Sequence, residues 1–138
     1  MKLGHTQFET EMLVRPDDID MHQHVHSSRY IDYVTAARYE QMERCYKMPL
    51  HEFTRLRLGW FIRGAQLDFK RPLRLGEAFK VKTWVLEINH TDVRVGFEIR
   101  KKENTKLCCD GNFLYTMVRL ENGRAAPIPD WIVEKYSV

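Results

Sequence analysis

The chain has no long apolar run. Its hydrophobic stretches are only a few residues, far short of the roughly 20 that cross a bilayer as a helix. The opening Met-Lys-Leu-Gly-His-Thr lacks the apolar core of a signal peptide, so the expected location is cytoplasmic. Cysteine is sparse as well. Cys45, Cys108 and Cys109 are an odd number, no Cys-x-x-Cys occurs, and adjacent cysteines cannot bridge without severe strain. A disulfide framework is excluded, and packing is the expected role of the thiols, with Cys108 and Cys109 on opposite faces of a strand. Nor is charge of one sign concentrated: a net charge of +3 is mild, whereas nucleic-acid binders gather far more Lys and Arg on one face. A small anionic ligand fits better, and neither nucleic acid nor membrane is expected as a partner. No repeat, linker or low-complexity tract interrupts the 138 residues, a length suited to one core, so a single domain over residues 1–138 is expected.

What is present is ordinary globular composition, with 43% hydrophobic and 30% charged residues. Partly alternating polarity from Phe8 to Val14 predicts a first strand ending at Pro16. From Ser27 or Ser28, both plausible N-caps, the spacing turns helical. Tyr30, Val34 and Ala37 form one stripe, with Ile31 and Tyr33 beside it and Met42 and Cys45 further on. Pro49 disfavours helix at Met48, so this helix is expected to reach about Tyr46, with a second short turn around His51 to Leu56. After Gly59 come alternating segments from Trp60 to Phe69, Ala78 to Ile88, Val93 to Arg100 and Lys106 to Val118. Short, turn-rich separators predict that consecutive strands pair as antiparallel hairpins in a meander. The sum is an α+β layout in which one long helix covers one face of an antiparallel sheet.

Chemistry concentrates between Asp17 and Tyr30, where Asp17, Asp18, Asp20, His22, His24 and His26 precede the helix. On an extended loop Asp18, Asp20 and the three histidines share one parity. The helix behind them offers unpaired amides and the positive end of its dipole, suited to a developing oxyanion. The bland roles are just as concrete. Asp17 and Asp18 are expected to cap backbone amides, and Tyr30, Tyr33, Trp60 and Phe61 to serve the core, some of them lining an apolar pocket. His22, His24 and His26 with Asp20 also meet the ligand inventory of a transition metal, although no second element supplies a ligand, and no metal is assigned.

Asp18-x-Asp20-x-x-x-His24-Val25-x-x-x-x-Tyr30-Ile31-x-Tyr33, followed by Ala37-Arg38-x-Glu40, resembles the signature of hotdog-fold thioesterases of the 4-hydroxybenzoyl-CoA thioesterase family. Plant acyl-carrier-protein thioesterases carry a similar Asp-x-Asp-x-x-x-His-Val segment. Leu67-x-Phe69-x-Arg71-Pro72-Leu73-Arg74-x-Gly76-Glu77 resembles the family's second-strand ending and turn. The resemblance implies a helix wrapped by a curled antiparallel sheet, and self-association as a dimer or tetramer with sites at the subunit interface. It also implies hydrolysis of an acyl-CoA or acyl-carrier-protein thioester without a further cofactor. In that family the carboxylate at the position of Asp20 attacks the carbonyl or activates water, and an amide at the helix start, here that of Ser27, polarises the carbonyl. A binding hotdog protein that holds a thioester without cleaving it is the alternative.

Two departures stand out: Gln23 where many relatives have Gly, as in the plant-type segment, and His26 where many have Asn. His26 would orient Asp20, bond the thioester region or make activity pH-dependent, or else mark a site that has lost function. His24 is expected to be a structural hydrogen-bonding residue, with a base as the alternative. The Asn89-His90-Thr91-Asp92 turn lacks the basic run with which some relatives grip CoA phosphates. Arg63, Lys70 and Arg71, with Arg94, Lys101 and Lys102, are the candidates for that task.

Overall fold

The computed structural model describes residues 6–138; the leader reading of residues 1–5 lies outside them. Strand β1 (Phe8–Leu13) is followed by a single 3-10 turn (Pro16–Asp18) and the long helix α1 (Arg29–Arg44). A short helix α2 (Leu50–Arg55) leads into β2 (Leu58–Phe69), β3 (Ala78–Ile88), β4 (Asp92–Lys101) and β5 (Leu107–Arg119), and α3 (Asp130–Tyr136) closes the chain. Among the described residues no helix is long and apolar enough to cross a membrane.

The expected meander is only partly present. The sheet order is β1-β3-β4-β5-β2, all pairs antiparallel, so β3, β4 and β5 do form successive hairpins while β2 pairs with β5 and never with β3. The Arg71–Gly76 segment is a crossover. Its Leu73 is fully buried and its carbonyl accepts the Val25 amide at 2.9 Å, so the chain crosses the end of the core instead of turning back on itself.

Helix α1 buries Tyr30, Tyr33, Val34, Ala37, Gln41 and Met42 against the sheet, at the i, i+3, i+4 spacing that puts one face inward. It ends at Arg44, two residues earlier than the spacing suggested, where the Cys45 amide closes on the Gln41 carbonyl at 2.7 Å. Fully buried Phe79, Phe97 and Phe113 fill the half of the core under the helix start. Each such ring contributes roughly 1.5–3 kcal/mol by leaving water. Cys108 and Cys109 are both fully buried, contrary to the expected opposite faces. A register shift lies between Ile99 and Arg100, whose partners are Cys109 and Leu107, and it leaves Cys108 as the extra residue of a β-bulge. Burial pushes the Cys109 thiol up to about 12, and all three cysteines are free thiols.

Candidate active site

The loop between β1 and α1 is not extended. After the 3-10 turn the chain bridges Ile19 to Val25 and closes on itself, the Asp20 amide donating to the His24 carbonyl at 2.8 Å and the Gln23 amide to the Asp20 carbonyl at 2.9 Å. Gln23 takes a left-handed φ of 63°, a conformation that glycine adopts without cost. This turn breaks the alternation that put His22, His24 and His26 on one face with Asp20. No group of three or more His, Cys, Asp or Glu side chains gathers in metal-binding geometry among the described residues.

Asp18 points inward. It is 6% exposed, and its Oδ2 accepts the Tyr33 hydroxyl at 2.8 Å and the Arg15 amide at 3.2 Å, with Arg29 Nε 3.7 Å from its Oδ1. It therefore braces the loop against α1. Burial, and then the bond to Asp18, raise the Tyr33 hydroxyl well above its ordinary value, so it remains a donor. Asp17 faces solvent and pairs with Arg15 at 3.0 Å.

Asp20 turns the other way, into a cleft of about 530 Å³ lined by His24, Val25, His26, Ser27 and Tyr30 on the loop and helix start, by Phe69 at the end of β2, and by Lys70, Arg71 and Pro72 beyond it. Its Oδ1 accepts the His22 amide at 2.9 Å and the His24 amide at 3.2 Å. Desolvation works upward on this carboxyl, but those two amides, with the nearby His22 and His26 charges, hold it below its ordinary value. It is an ionised, oriented carboxylate at neutral pH. Oδ2 makes no hydrogen bond among the described residues and is left for other chemistry.

Ser27 and Ser28 lie just ahead of α1. The Arg29 amide returns to the His26 carbonyl at 2.9 Å and the Tyr30 amide to the Ser27 carbonyl at 3.3 Å, whereas the Ser27 amide donates no hydrogen bond among the described residues. Neither serine side chain caps the helix: the N-cap Ser28 makes no side-chain cap bond. His24 is half-buried, supplies its amide to Asp20 and bridges to Arg74. His26 is exposed on the cleft wall, with its amide held by the Asp18 carbonyl at 2.9 Å.

Of the basic candidates, Lys70 and Arg71 stand on the cleft. Arg63 does not; it pairs with Asp92 at 3.2 Å, near the start of β4. Lys101 and Lys102 are engaged by Glu77 and Glu11, at 2.9 and 3.0 Å, and Arg94 by Asn112 at 2.7 Å. Sequence reasoning passed over Phe69 and Pro72 as cleft residues, and treated Tyr30 chiefly as core. Tyr30 is indeed buried, but its hydroxyl accepts the Leu73 amide at 3.2 Å and so ties the crossover to the helix start. Burial pushes that hydroxyl up to about 12.

An ionised carboxylate and an unpaired amide before a long helix thus share one cleft, with two cations on its rim. The sequence profile of a thioesterase-like superfamily matches residues 14–136, nearly the whole chain. The chain belongs to the thioesterase-like superfamily. Its fold is the hotdog: a five-stranded antiparallel sheet curled about α1. A hypothetical protein from Thermus thermophilus is 26% identical, with 96% of each chain covered and a TM-score of 0.87. A 1,4-dihydroxy-2-naphthoyl-CoA thioesterase from Synechocystis is 17% identical over 95% of this chain and 96% of its own, with a TM-score of 0.85. A hypothetical protein from Staphylococcus aureus in complex with CoA is 16% identical over 98% of this chain and 84% of its own, with a TM-score of 0.84. Among curated proteins, none matches this chain. Membership of this superfamily supports thioester hydrolysis as the general chemistry of the thioesterase-like cleft.

Proposed function

We propose that this protein hydrolyses an acyl-CoA to the free acid and CoA in the cleft that holds Asp20. The observation that carries the reading is the pairing, in that one cleft, of an amide-anchored, ionised Asp20 with the undonated Ser27 amide. Asp20 Oδ2 attacks the thioester carbonyl, or takes the proton of a water that does so. The oxyanion that forms receives the Ser27 amide and the positive end of α1. The tetrahedral adduct then expels the CoA thiolate, which takes up a proton; on the water route the free acid is left at once, and on direct attack a water then cleaves the Asp20–acyl anhydride to the free acid. An alkyl thiol has a pKa near 8.5 by analogy with cysteine, so the departing sulfur needs little acid assistance.

Lys70 and Arg71 hold the CoA phosphates, a role that suits their place on the rim and the charge of the ligand. The Synechocystis relative acts on a CoA thioester by name and the Staphylococcus relative binds CoA, which supports the CoA carrier over an acyl-carrier protein. His24 shapes the turn through its amide. His26 stands where it would bond to the substrate near the thioester. Strand β2 is an edge of the sheet and exposes Phe61 and Phe69, which supports self-association along it. Three free thiols suit a reducing cytoplasm.

The test is thiol release from a panel of acyl-CoAs differing in length and aromaticity, set beside equilibrium binding of the same compounds. Release that saturates with at least one of them supports hydrolysis. Tight binding with no release from any acyl-CoA or acyl-carrier-protein thioester would make this a thioester-binding protein instead.

A further inference from the structure

A second cavity, of about 280 Å³, lies further along the same helix and shares no residue with the Asp20 cleft. Met42 of α1, Trp60, Phe61 and Ile62 of β2 and Val95 of β4 make its apolar walls. One charged residue lines it: Arg38, on α1 and 4% exposed. A guanidinium carries five N–H donors, and this one makes a single hydrogen bond among the described residues, from Nη1 to Thr83 Oγ1 at 3.3 Å. It also lies over two aromatic faces, 5.2 Å from the ring centroid of Tyr46 and 6.0 Å from that of Tyr136. No carboxylate lies within 4.0 Å of it among the described residues.

The rings around Arg38 add to the imbalance. The hydroxyls of Tyr46, Tyr115 and Tyr136 are all buried and donate to no acceptor among the described residues, and Tyr115 and Tyr136 line the cavity itself. Burial pushes the Tyr115 hydroxyl up to about 12 and raises that of Tyr136 as well, so both are donors at neutral pH. A buried donor without a partner is destabilising, and a buried cation without a counter-ion is more so. One group answers the imbalance inside the cavity: an anion with two acceptor oxygens, set among Arg38 and the Tyr115 and Tyr136 hydroxyls and carried on an apolar body. We propose that this cavity is a binding site for an apolar monocarboxylate, its carboxylate received by Arg38 and the tyrosine hydroxyls.

The volume sets the size. At about 30 Å³ per water molecule, the cavity equals the space of roughly nine waters, which suits an acid of about ten non-hydrogen atoms such as phenylacetate or octanoate. Two sources supply that chemistry: a free acid, or the far end of an acyl group that itself ends in a carboxylate. From Ser27 to Arg38 is about 16 Å along the helix axis, at 1.5 Å per residue, within reach of a long acyl chain. The binding claim stands apart from the acyl-CoA reading; only the choice between sources rests on it.

The experiment is calorimetric titration of the full chain with phenylacetate and octanoate, and with their neutral amides, in wild type, Arg38→Met and Tyr115→Phe. Saturable binding of an acid at least tenfold tighter than its amide is expected. Arg38→Met should erase that preference, and Tyr115→Phe should weaken acid binding several-fold. A cooperative melt at or above the wild-type temperature certifies each variant as folded, and Tyr115→Phe removes only an unpaired hydroxyl. No saturable binding of either acid to wild type, or equal affinity for acid and amide, overturns the proposal; so does undiminished acid binding in both variants. With wild type shown to bind, a rise in KM of Arg38→Met confined to thioesters that end in a carboxylate assigns the site to the acyl group. Unaltered KM for those thioesters assigns it to a free acid.

Discussion

Replacing Ser27 separates what its amide does from what its hydroxyl does. The Arg29 amide bonds to the His26 carbonyl, which makes Ser27 the second residue of a β-turn, and the following Ser28 has φ −65° and ψ −23°. Proline is favoured at the second position of such a turn. The Ser27 amide has no acceptor among the described residues, so Ser27→Pro deletes the proposed oxyanion donor without breaking a bond of the fold. Loss of one oxyanion donor costs about 10²- to 10³-fold in kcat, roughly 2.7–4 kcal/mol of barrier. Ser27→Ala keeps the amide and loses a hydroxyl that caps nothing, so its kcat should stay within about twofold of wild type by the same reasoning. Thiol release at saturating acyl-CoA, with thermal melting alongside, measures both. Wild-type kcat in a folded Ser27→Pro protein would refute the oxyanion assignment, and equal losses in the two variants would shift the role to the hydroxyl.

Tyr33→Phe removes the hydroxyl bonded to buried Asp18 and should cost about 1.5–3 kcal/mol of stability, as for bonds to charged groups; urea unfolding reads it as a lower midpoint at unchanged slope. The Asp20 carboxyl is depressed below its ordinary 3.8 in the folded protein, so whatever stability it contributes is present above that value and lost as pH falls through the lower, folded one. The acid limb of kcat/KM should accordingly lie below pH 4, and a limb centred above pH 5 would place control in another group. Gly111→Ala would set a Cβ 1.8 Å from the Gln66 carbonyl oxygen at a φ of +153°. It should prise β2 from β5 and leave little folded protein by circular dichroism.

Much of the fold was legible because burial on one face leaves a period. The Tyr30, Val34 and Ala37 stripe located α1, and alternation located all five strands. Which strand lies beside β2 was not legible, because alternation fixes a strand's faces and not its neighbour; Leu73 made the crossover by burying itself between two turn-like flanks. Helix α3 has an i, i+4 pair, Ile132 and Tyr136, behind Pro129, a start signal too short to stand out. The bulge at Cys108 obeys pairing with β4 and leaves no local mark. At the site, the motif pointed to Asp20, Ser27, His24 and His26, which line one cleft, but the left-handed Gln23 turned an apparent row of imidazoles into a closed loop. The place of Arg38 escaped, although the motif contains it, because a cation on a helix ordinarily reads as surface, and here it is buried.

The most direct test of the account is Asp20→Asn. Asparagine keeps an oxygen for the His22 and His24 amides, so the loop should hold its shape while the charge and the proton acceptor are lost. On the best acyl-CoA, kcat should fall by about 10²- to 10⁴-fold, the usual worth of a positioned base, with melting temperature and CoA binding little changed. Near-normal turnover in that variant would contradict the claim that Asp20 carries the reaction.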